Sequence, residues 1–482
     1  MGDLFSHPSE GKGAAFDQSG WIRAKKGARQ VVTGELKVSE NGVYRVRVTL
    51  EGGGVLFGQR RNLVNPDAPA GESTFYTCLT EYMPSMSRDR DPGRALYASC
   101  FGGRILSMSA EKAEARRVFI AGDSTVADQY CLSEYYPFDS YCGWGQMLSA
   151  FLPDDAVCNM AHSGLTGRCF LEDGHFDIIK GYVKAGDLML MQFGHNDQKR
   201  RLLQADRKYT YYLERLIDFA LEKGAVPVLV SPVSRVPSKD AAGTFDLLEA
   251  HAEAVRALAL RRGLPFIDLH TFTYDMYLSM GEGCRDLFKD MTHANDPGAF
   301  TIARHVSQRL NELGLARSVD RSAGFISSDR KKSPIAGAPS PLPVPYVDID
   351  GVKDKSVIDR AMQAGLLDPC VLHLHPFEPL SRAQFIQLLF RATGTQGMPT
   401  DGRAPYKDVK PREFDAGYAA ACKKLGLVDG EYYRPDDDVT KDEINELSSR
   451  LSCQSRLEGD AVPTKYDILT FLLSVKNEKA KK

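Results

Sequence analysis

The feature that most constrains the fold is an alternation of short apolar runs with amphipathic stretches across residues 116–316. The apolar runs are nearly uninterrupted, which is typical of parallel strands buried on both faces. These runs lie at 117–121, 187–193, 226–230 and 265–269. The amphipathic stretches predict helices and lie at 209–223, 245–262 and 297–313. Strand–helix alternation of this kind predicts a three-layer α/β/α sandwich with right-handed crossovers.

The first predicted strand ends in Gly122-Asp123-Ser124, so that a serine lies at its carboxyl end. In open α/β sheets ligands bind at that edge, and Ser124 is therefore well placed to act as a nucleophile. A serine hydroxyl needs a neighbouring base to take its proton. Asp290 and His293, in a loop ahead of the last predicted helix, can supply one, because an aspartate three residues earlier can orient the imidazole.

Two further polar blocks lie between these residues. Asn159–Gly164 is a polar turn, and the bare backbone of Gly164 can approach a ligand closely. Gly194–Asp197 follows the second predicted strand directly and presents Asn196. Taken alone, Gly-Asp-Ser is usually only a turn. The four blocks in this order favour a catalytic site, although each by itself is a weak signal.

These four blocks resemble the SGNH (GDSL-type) hydrolases, which are named for the serine, glycine, asparagine and histidine that the blocks supply. The similarity spans residues 116–316 and is greater for the rhamnogalacturonan acetylesterases, which remove acetyl groups from pectin backbones. The segments that resemble this branch are Gly122–Val126, Gly143–Gln146, Pro232–Arg235 and Asp290–His293. The resemblance implies a serine carbohydrate O-acetylesterase that needs neither a metal nor a cofactor.

The resemblance also implies a role for each matching residue. Ser124 would attack the acetyl carbonyl, His293 would accept and return its proton, and Asp290 would hold the imidazole. The oxyanion would be bound by the backbone N–H groups of Ser124 and Gly164 and by the side-chain amide of Asn196.

Four other residues are candidates for substrate binding. His162 lies beside the oxyanion glycine, whereas His195 is expected to have mainly a structural role. Trp144 suits the core beneath the site better than a sugar-stacking platform. Arg235 could bind a uronate carboxylate, but a structural ion pair is equally consistent with the sequence. Gln129, together with the neighbouring aspartate, is expected to cap a helix that follows the nucleophile.

Several alternative functions remain open at this point. An esterase for acetyl-xylan or another acetylated oligosaccharide is the nearest competitor, because the blocks specify the reaction and not the sugar. A lipase or thioesterase is less favoured, since no long apolar segment resembles an acyl-chain lid. A cell-wall-binding or scaffold protein with an inactive hydrolase domain is a further alternative, against which the intact Ser124, Asp290 and His293 argue.

Residues 1–115 predict a β-rich accessory domain. The stretch 42–50 alternates, with Tyr44, Val46, Val48 and Leu50 on one face, as in a half-buried strand. Short strands separated by glycine-rich turns predict a small sandwich. Such a domain could bind sugar, but packing against the next domain is the favoured role.

Residues 317–345 predict a proline-rich linker, and residues 346–482 repeat at a period of about 60 residues, which suits a helical-pair unit. Ser381, Thr440 and Thr464 each precede an apolar face and predict helix N-caps. The layout resembles degenerate surface-layer-homology repeats, which attach enzymes to cell-wall polymers through basic residues near the cap. Those positions are held here by Arg382, Lys441 and Lys465. We favour a structural or partner-contacting role, and leave wall binding and oligomerisation open.

The composition of the chain bears on its binding partners and on its cellular location. With a net charge of −2 and no basic stripe, the chain has no electrostatic footprint for nucleic acid, and no apolar run reaches membrane-spanning length. The first residues lack a secretory signal pattern, and the ten cysteines form no Cys-x-x-Cys pairs. We therefore expect a cytoplasmic location, or an extracellular or cell-surface one if a signal has been removed.

Overall fold

The structure is a computed structural model that describes residues 21–22, 31–83, 92–129, 141–240, 243–321, 346, 348–367, 373–411, 413–459 and 461–480. The chain divides into two compact units. The first unit comprises Met1–Asn196, Lys208–Val236 and Leu248–Ser340, and the second comprises Asp197–Arg207, Pro237–Leu247 and Pro341–Lys482. Residues 322–345 of the predicted linker lie outside the described residues, and the domain boundaries expected from the sequence stay predictions.

The N-terminal strands of the first unit form two antiparallel sheets, which we call the β-module. Its described strands have the orders β1-β2-β7-β4-β5 and β6-β3-β8. The strands are β1 (Trp21–Ile22), β2 (Val31–Lys37), β3 (Gly42–Glu51), β4 (Gly54–Phe57), β5 (Leu63–Ala68), β6 (Gly71–Leu79), β7 (Ala95–Phe101) and β8 (Arg104–Lys112). Tyr44, Val46, Val48 and Leu50 are buried in a core that both sheets share, which confirms the predicted sandwich.

The centre of the first unit is a parallel sheet whose strand order, within the described residues, is β10-β9-β11-β12-β15. The strands are β9 (Arg116–Gly122), β10 (Asp155–Asn159), β11 (Leu188–Gln192), β12 (Val226–Val230) and β15 (Phe266–Ile267). The apolar runs identified in the sequence form four of these strands. The fifth, β10, was not predicted, because its apolar part is only Ala156-Val157-Cys158 and it begins with an aspartate.

Helices cover this sheet, as an α/β layer architecture requires. They are α1 (Trp144–Met147), α2 (Gly167–Glu172), α3 (His175–Lys180), α4 (Tyr209–Glu222), α5 (Glu249–Arg262), α6 (Leu269–Met280) and α7 (Asp296–Glu312). Helix α7 begins where Asn295 accepts a hydrogen bond from the Gly298 N–H at 3.0 Å. The prediction that α5 begins at 245 was wrong, because 243–245 pairs as a strand instead. That hairpin consists of β13 (Ser238–Asp240) and β14 (Gly243–Phe245).

The β-module packs against the α/β part of the first unit. Val55, Phe57 and Leu63 belong to the same buried cluster as Trp144 and Phe300. A continuous apolar core across both parts supports packing, the role that the sequence favoured for this module.

Five α-helices lie in the described part of the second unit. Its described helices are α8 (Ser356–Gln363), α9 (Arg382–Thr393), α10 (Ala416–Lys424), α11 (Lys441–Arg450) and α12 (Lys465–Ala480). Ser381 and Thr440 form the predicted N-caps, each with a reciprocal capping box three residues into the helix. Thr464 likewise accepts a hydrogen bond from the Asp467 N–H at 3.3 Å. None of the helices in the described part of the chain combines the length and apolar content that a membrane crossing requires.

Equivalent hydrogen bonds reveal the internal repeat of the second unit. The carboxylate of Asp348 accepts bonds from the Leu374 and His375 N–H groups at 2.8 and 2.7 Å. One repeat later, Asp408 accepts bonds from the Tyr433 and Arg434 N–H groups at the same two distances, 2.8 and 2.7 Å. The same loop geometry therefore occurs twice.

The basic residues that follow the caps are engaged inside this unit. Arg382 donates to the Tyr433 carbonyl at 3.0 Å and pairs with Glu443. Lys441 and Lys465 donate to the carbonyls of Gly459 and Leu374, each at 2.6 Å. These contacts support a structural role for the repeats, whereas their likeness to surface-layer-homology repeats stays a prediction.

Candidate active site

The candidate nucleophile lies at the carboxyl edge of the central sheet, directly after β9. A Cβ on Gly122 would lie 2.9 Å from the Gln192 carbonyl oxygen and 2.8 Å from the Val126 side chain, so the turn closes only with a glycine there. The Val126 N–H donates to the Asp123 carbonyl at 3.1 Å. This turn brings the hydroxyl of Ser124 to 2.8 Å from His293 Nε2.

The partner of the serine is held by its own loop. His293 Nδ1 lies 2.8 Å from Asp290 Oδ2, and the backbone N–H groups of Thr292 and His293 both donate to Asp290 Oδ1 at 2.7 Å. With its proton on Nδ1, the imidazole has a free Nε2 lone pair directed at the hydroxyl of Ser124. Burial would raise the pKa of Asp290, but the hydrogen bonds and charge of His293 outweigh it and hold that pKa well below its usual range.

The other two sequence blocks join this edge. After β10 the chain turns through Gly164, whose φ of 83° is left-handed and suits glycine. The His162 N–H donates to the Gly122 carbonyl at 3.1 Å and ties this turn to β9. Asn196, which follows β11, donates through its side-chain amide to the Leu165 carbonyl at 3.0 Å. All four predicted blocks therefore lie together, and the oxyanion roles of Gly164 and Asn196 remain predictions.

A buried polar pair, His195 and Asp123, lies beside the candidate nucleophile. His195 Nδ1 lies 3.4 Å from Asp123 Oδ2, with side-chain exposures of 1% and 0%. Asp123 Oδ1 also accepts hydrogen bonds from the Thr125 N–H and hydroxyl at 2.9 and 2.7 Å. Burial would raise the pKa of Asp123, but the charge and hydrogen bond of His195 lower it on balance. His195 therefore faces the loop of the nucleophile and offers no surface to a substrate.

Trp144 and His162 are also buried. The Trp144 side chain is 0% exposed and donates to Gln192 Oε1 at 2.8 Å, so the hypothesis of a sugar-stacking platform conflicts with its position in the core. Gln192 in turn donates to the Thr125 hydroxyl at 2.7 Å, which links the tryptophan to the turn of the nucleophile. His162 is 2% exposed, and its Nδ1 lies 2.9 Å from the Ser163 carbonyl.

Arg235 is half-buried beside the loop that contains His293. Its guanidinium donates to the Thr292 hydroxyl and, at 3.3 Å, to the His195 carbonyl. These contacts connect Arg235 to two loops of the site. Whether Arg235 binds a uronate carboxylate or forms a structural ion pair stays a prediction.

Two residues of the site had no predicted role in it. The Tyr141 hydroxyl donates to Asp290 Oδ2 at 3.4 Å, and its ring lies edge-on to His293 with centroids 5.9 Å apart. The side chain of Gln129 donates to the Ser124 carbonyl at 2.5 Å. Residues 124–126 form a turn, and the residues directly after Gln129 lie outside the described ones, so the expectation that Gln129 caps a helix stays a prediction. No sequence motif marks Tyr141, since its contact depends on the tertiary fold.

Metal ligation has no candidate in the described part of the chain, where no group of three or more histidine, cysteine, aspartate or glutamate residues could hold an ion.

Comparison with known proteins gives consistent matches for this region. Residues 120–299 match the sequence profile of the GDSL-like lipase/acylhydrolase family. Rhamnogalacturonan acetylesterase RhgT of Bacillus subtilis is 34% identical over 216 residues, which are 41% of this chain and 91% of that protein. The probable rhamnogalacturonan acetylesterase YesY of the same species is 30% identical over 213 residues, covering 42% of this chain and 95% of that protein.

A third match is longer. The uncharacterized esterase YxiM of Bacillus subtilis is 28% identical over 288 residues, which are 57% of this chain and 73% of that protein. An alignment of this length exceeds the predicted catalytic region and therefore includes residues outside 116–316.

Proposed function

The chain belongs to the GDSL-like lipase/acylhydrolase family, whose members are ester hydrolases; from that premise we propose that it is a serine O-acetylesterase acting on acetylated carbohydrate, with rhamnogalacturonan as its substrate. The observation that chiefly supports this proposal is a pair of contacts at the carboxyl edge of a parallel sheet. The Ser124 hydroxyl lies 2.8 Å from His293 Nε2, and His293 Nδ1 lies 2.8 Å from Asp290 Oδ2.

Acylation begins with attack of the Ser124 hydroxyl oxygen on the acetyl carbonyl carbon. His293 Nε2 accepts the hydroxyl proton as the new C–O bond forms, and the carbonyl π electrons move to oxygen. When the tetrahedral intermediate collapses, the bond to the sugar oxygen breaks and His293 gives that oxygen its proton. Asp290 stays ionised, because its pKa is held low, and stabilises the imidazolium between these two transfers.

The oxyanion needs donors that are in place before the reaction. The turn that contains Gly164 is fixed to β9 by the bond from His162, and Asn196 is fixed to the same turn through Leu165. Donors held in this way cost little reorganisation in the transition state. We assign oxyanion binding to the N–H groups of Ser124 and Gly164 and to the amide of Asn196.

Deacylation repeats these steps with water. His293 accepts a proton from a water molecule that attacks the acetyl-enzyme, and the tetrahedral intermediate collapses to acetic acid as His293 returns that proton to Ser124. The acetic acid then loses its proton to solution and becomes acetate. The products are acetate and a sugar hydroxyl, and every proton taken up by His293 is returned.

The choice of sugar rests on the relatives that share the catalytic region. Two of them have names that specify rhamnogalacturonan, and the chain covers 91% and 95% of their lengths. The same reaction would also deacetylate acetyl-xylan or another neutral acetylated oligosaccharide. An experiment must therefore distinguish these substrates from rhamnogalacturonan.

Acetate release tests the proposal. Wild type is compared with Ser124→Ala on acetylated rhamnogalacturonan oligosaccharides, acetyl-xylo-oligosaccharides, acetyl-mannan and para-nitrophenyl acetate. We expect release from the pectin fragments to be fastest and the Ser124→Ala variant to lose it, whereas Ser279→Ala, an exposed serine on α6, keeps it. Unchanged release by Ser124→Ala would refute the nucleophile assignment. Preference for a neutral sugar would refute the choice of substrate, and no release from any ester would refute the esterase.

A further inference from the structure

The turn between β4 and β5 contains two consecutive arginines in a conformation that arginine rarely adopts. Arg60 and Arg61 have φ values of 52° and 56°, in the left-handed region. A side chain there crowds the following carbonyl oxygen, so such residues persist where surrounding contacts hold them. The contacts of the two side chains therefore account for this conformation.

Both side chains leave the β-module and reach the stretch that follows the nucleophile. Arg61 Nη2 donates to the Gln129 carbonyl at 2.8 Å and to the Tyr141 carbonyl at 3.2 Å. Arg60 Nε lies 3.1 Å from Asp128 Oδ2, and these two side chains are 10% and 6% exposed. One guanidinium therefore holds two separate segments of the α/β part together.

The first of these segments contacts the nucleophile. The side chain of Gln129 donates to the Ser124 carbonyl at 2.5 Å, and the Ser163 hydroxyl donates to Gln129 Oε1 at 3.4 Å. Gln146 also donates to the Gln129 carbonyl, at 3.3 Å, and to the Arg60 carbonyl at 3.1 Å. Gln129 thus lies between the arginine turn and the residue that attacks the ester.

The second segment contacts the base. Tyr141 pairs as a β-bridge with Asn295, and the Cys142 N–H donates to the Ala294 carbonyl at 3.2 Å. The Tyr141 hydroxyl donates to Asp290 Oδ2, the same oxygen that faces His293 Nδ1. Any shift of the Tyr141 backbone would therefore move a group that contacts both Asp290 and His293.

We propose that Arg61 of the β-module is a positioning residue for the esterase reaction, which holds Gln129 against Ser124 and Tyr141 against the Asp290–His293 pair. The inference rests on the proposed function. A guanidinium suits the task because its planar donors can bond two carbonyl oxygens at once. On this account the β-module is required for the chemical step and not for substrate binding.

The test uses the full chain and para-nitrophenyl acetate, so that it does not depend on the choice of sugar. Arg61→Gln removes the charge and the fork, Arg61→Lys keeps one cationic donor, and Arg104→Gln, an exposed arginine of the same module, is the matched control. Active sites are counted by stoichiometric labelling with an organophosphate. We expect kcat per labelled site to fall about 10- to 100-fold in Arg61→Gln, as for other small misplacements of reacting groups, with KM within about twofold. Arg61→Lys should recover part of kcat, and Arg104→Gln should match wild type.

A double-mutant cycle separates positioning from general stabilisation. If Arg61 acts through Tyr141, then Arg61→Gln combined with Tyr141→Phe lowers kcat by less than the product of the single effects. Independent effects, or a loss of rate explained entirely by fewer labelled sites, would overturn the proposal. If Arg61→Gln does not fold, the same cycle is measured with Arg61→Lys. Its kcat per labelled site and that of its combination with Tyr141→Phe are then compared in the same way. Absence of Ser124-dependent hydrolysis in wild type would refute the proposed function as well, whereas an active wild type with unchanged Arg61 variants would refute this inference alone.

Discussion

At the scale of single residues, Asp290 has the clearest physical role. Its two oxygens accept hydrogen bonds from two backbone N–H groups and from Tyr141, and one of them faces His293. Such bonds favour the ionised form, which explains why its pKa is lowered although the carboxyl is partly buried. An ionised carboxylate fixes the proton of His293 on Nδ1 and leaves Nε2 for Ser124.

Replacing Asp290 by asparagine tests this role. The amide cannot balance the imidazolium and favours the wrong tautomer, so we expect kcat for para-nitrophenyl acetate to fall by about 10⁴-fold, the loss seen for such a change in serine proteases. Asp275→Asn, an exposed carboxylate on α6, is the control and should leave kcat unchanged. A loss of less than about tenfold would contradict the assignment of Asp290.

The predicted oxyanion donor Asn196 gives a second residue-level prediction. Asn196→Ala removes one donor, and we expect kcat to fall by about 10²- to 10³-fold while KM changes little. Because Asn196 also donates to the Leu165 carbonyl, thermal unfolding should be measured in parallel. A rate loss that follows the unfolded fraction, with normal kcat per labelled site, would contradict an oxyanion role.

At the scale of elements, the second unit contains a partly buried cluster of charged side chains around Arg201. Arg201 lies 3.0 Å from Glu413, 3.6 Å from Asp415 and 3.0 Å from Asp436. Burial raises the pKa of Asp415 to about 6, and its contact with Arg201 offsets this only in part. Helix α10 therefore begins beside a carboxyl that stays protonated up to a higher pH than an ordinary aspartate does.

This cluster predicts a pH dependence of stability. Between the ordinary aspartate pKa of about 3.9 and the raised value, the folded state binds more protons at Asp415 than the unfolded state does. The free energy of unfolding therefore falls as pH rises through this window. Asp415→Asn stays neutral, so raising the pH from 4.5 to 7 should lower the Tm of wild type by about 4–8 °C more than that of the variant. Equal changes in the two proteins, measured by calorimetry, would contradict the raised pKa.

Elements with a strong local pattern could be predicted from the sequence. The alternation in β3 and the apolar runs of β9, β11 and β12 each specify a strand by their own residues, as Ser381 and Thr440 specify helix starts. The strand β10 and the start of α5 could not be predicted in this way. Strand pairing determines both, because β10 pairs with β9, and residues 243–245 pair with β13 instead of joining α5. Tertiary pairing overrides local preference at such places.

At the scale of the whole molecule, the four blocks of the candidate site could be predicted because each is a short motif at the end of an element. The supporting residues could not, since Gln129 and Tyr141 meet Arg61 only when the β-module packs on the α/β part. Trp144 is buried as the sequence favoured, whereas the burial of His162 could not be predicted, because a motif gives proximity in sequence and not exposure.

The central claim is that hydrolysis passes through an acetyl ester on Ser124, and rapid quenching followed by peptide mass spectrometry tests it directly. Wild type mixed with para-nitrophenyl acetate should show one added acetyl group on the peptide that contains Ser124. His293→Ala, which lacks the base for both acylation and deacylation, should acquire that group far more slowly than wild type, and Ser124→Ala should show none. Hydrolysis of the ester with no acetyl group on that peptide at any time, or with the group on another residue, would contradict the account.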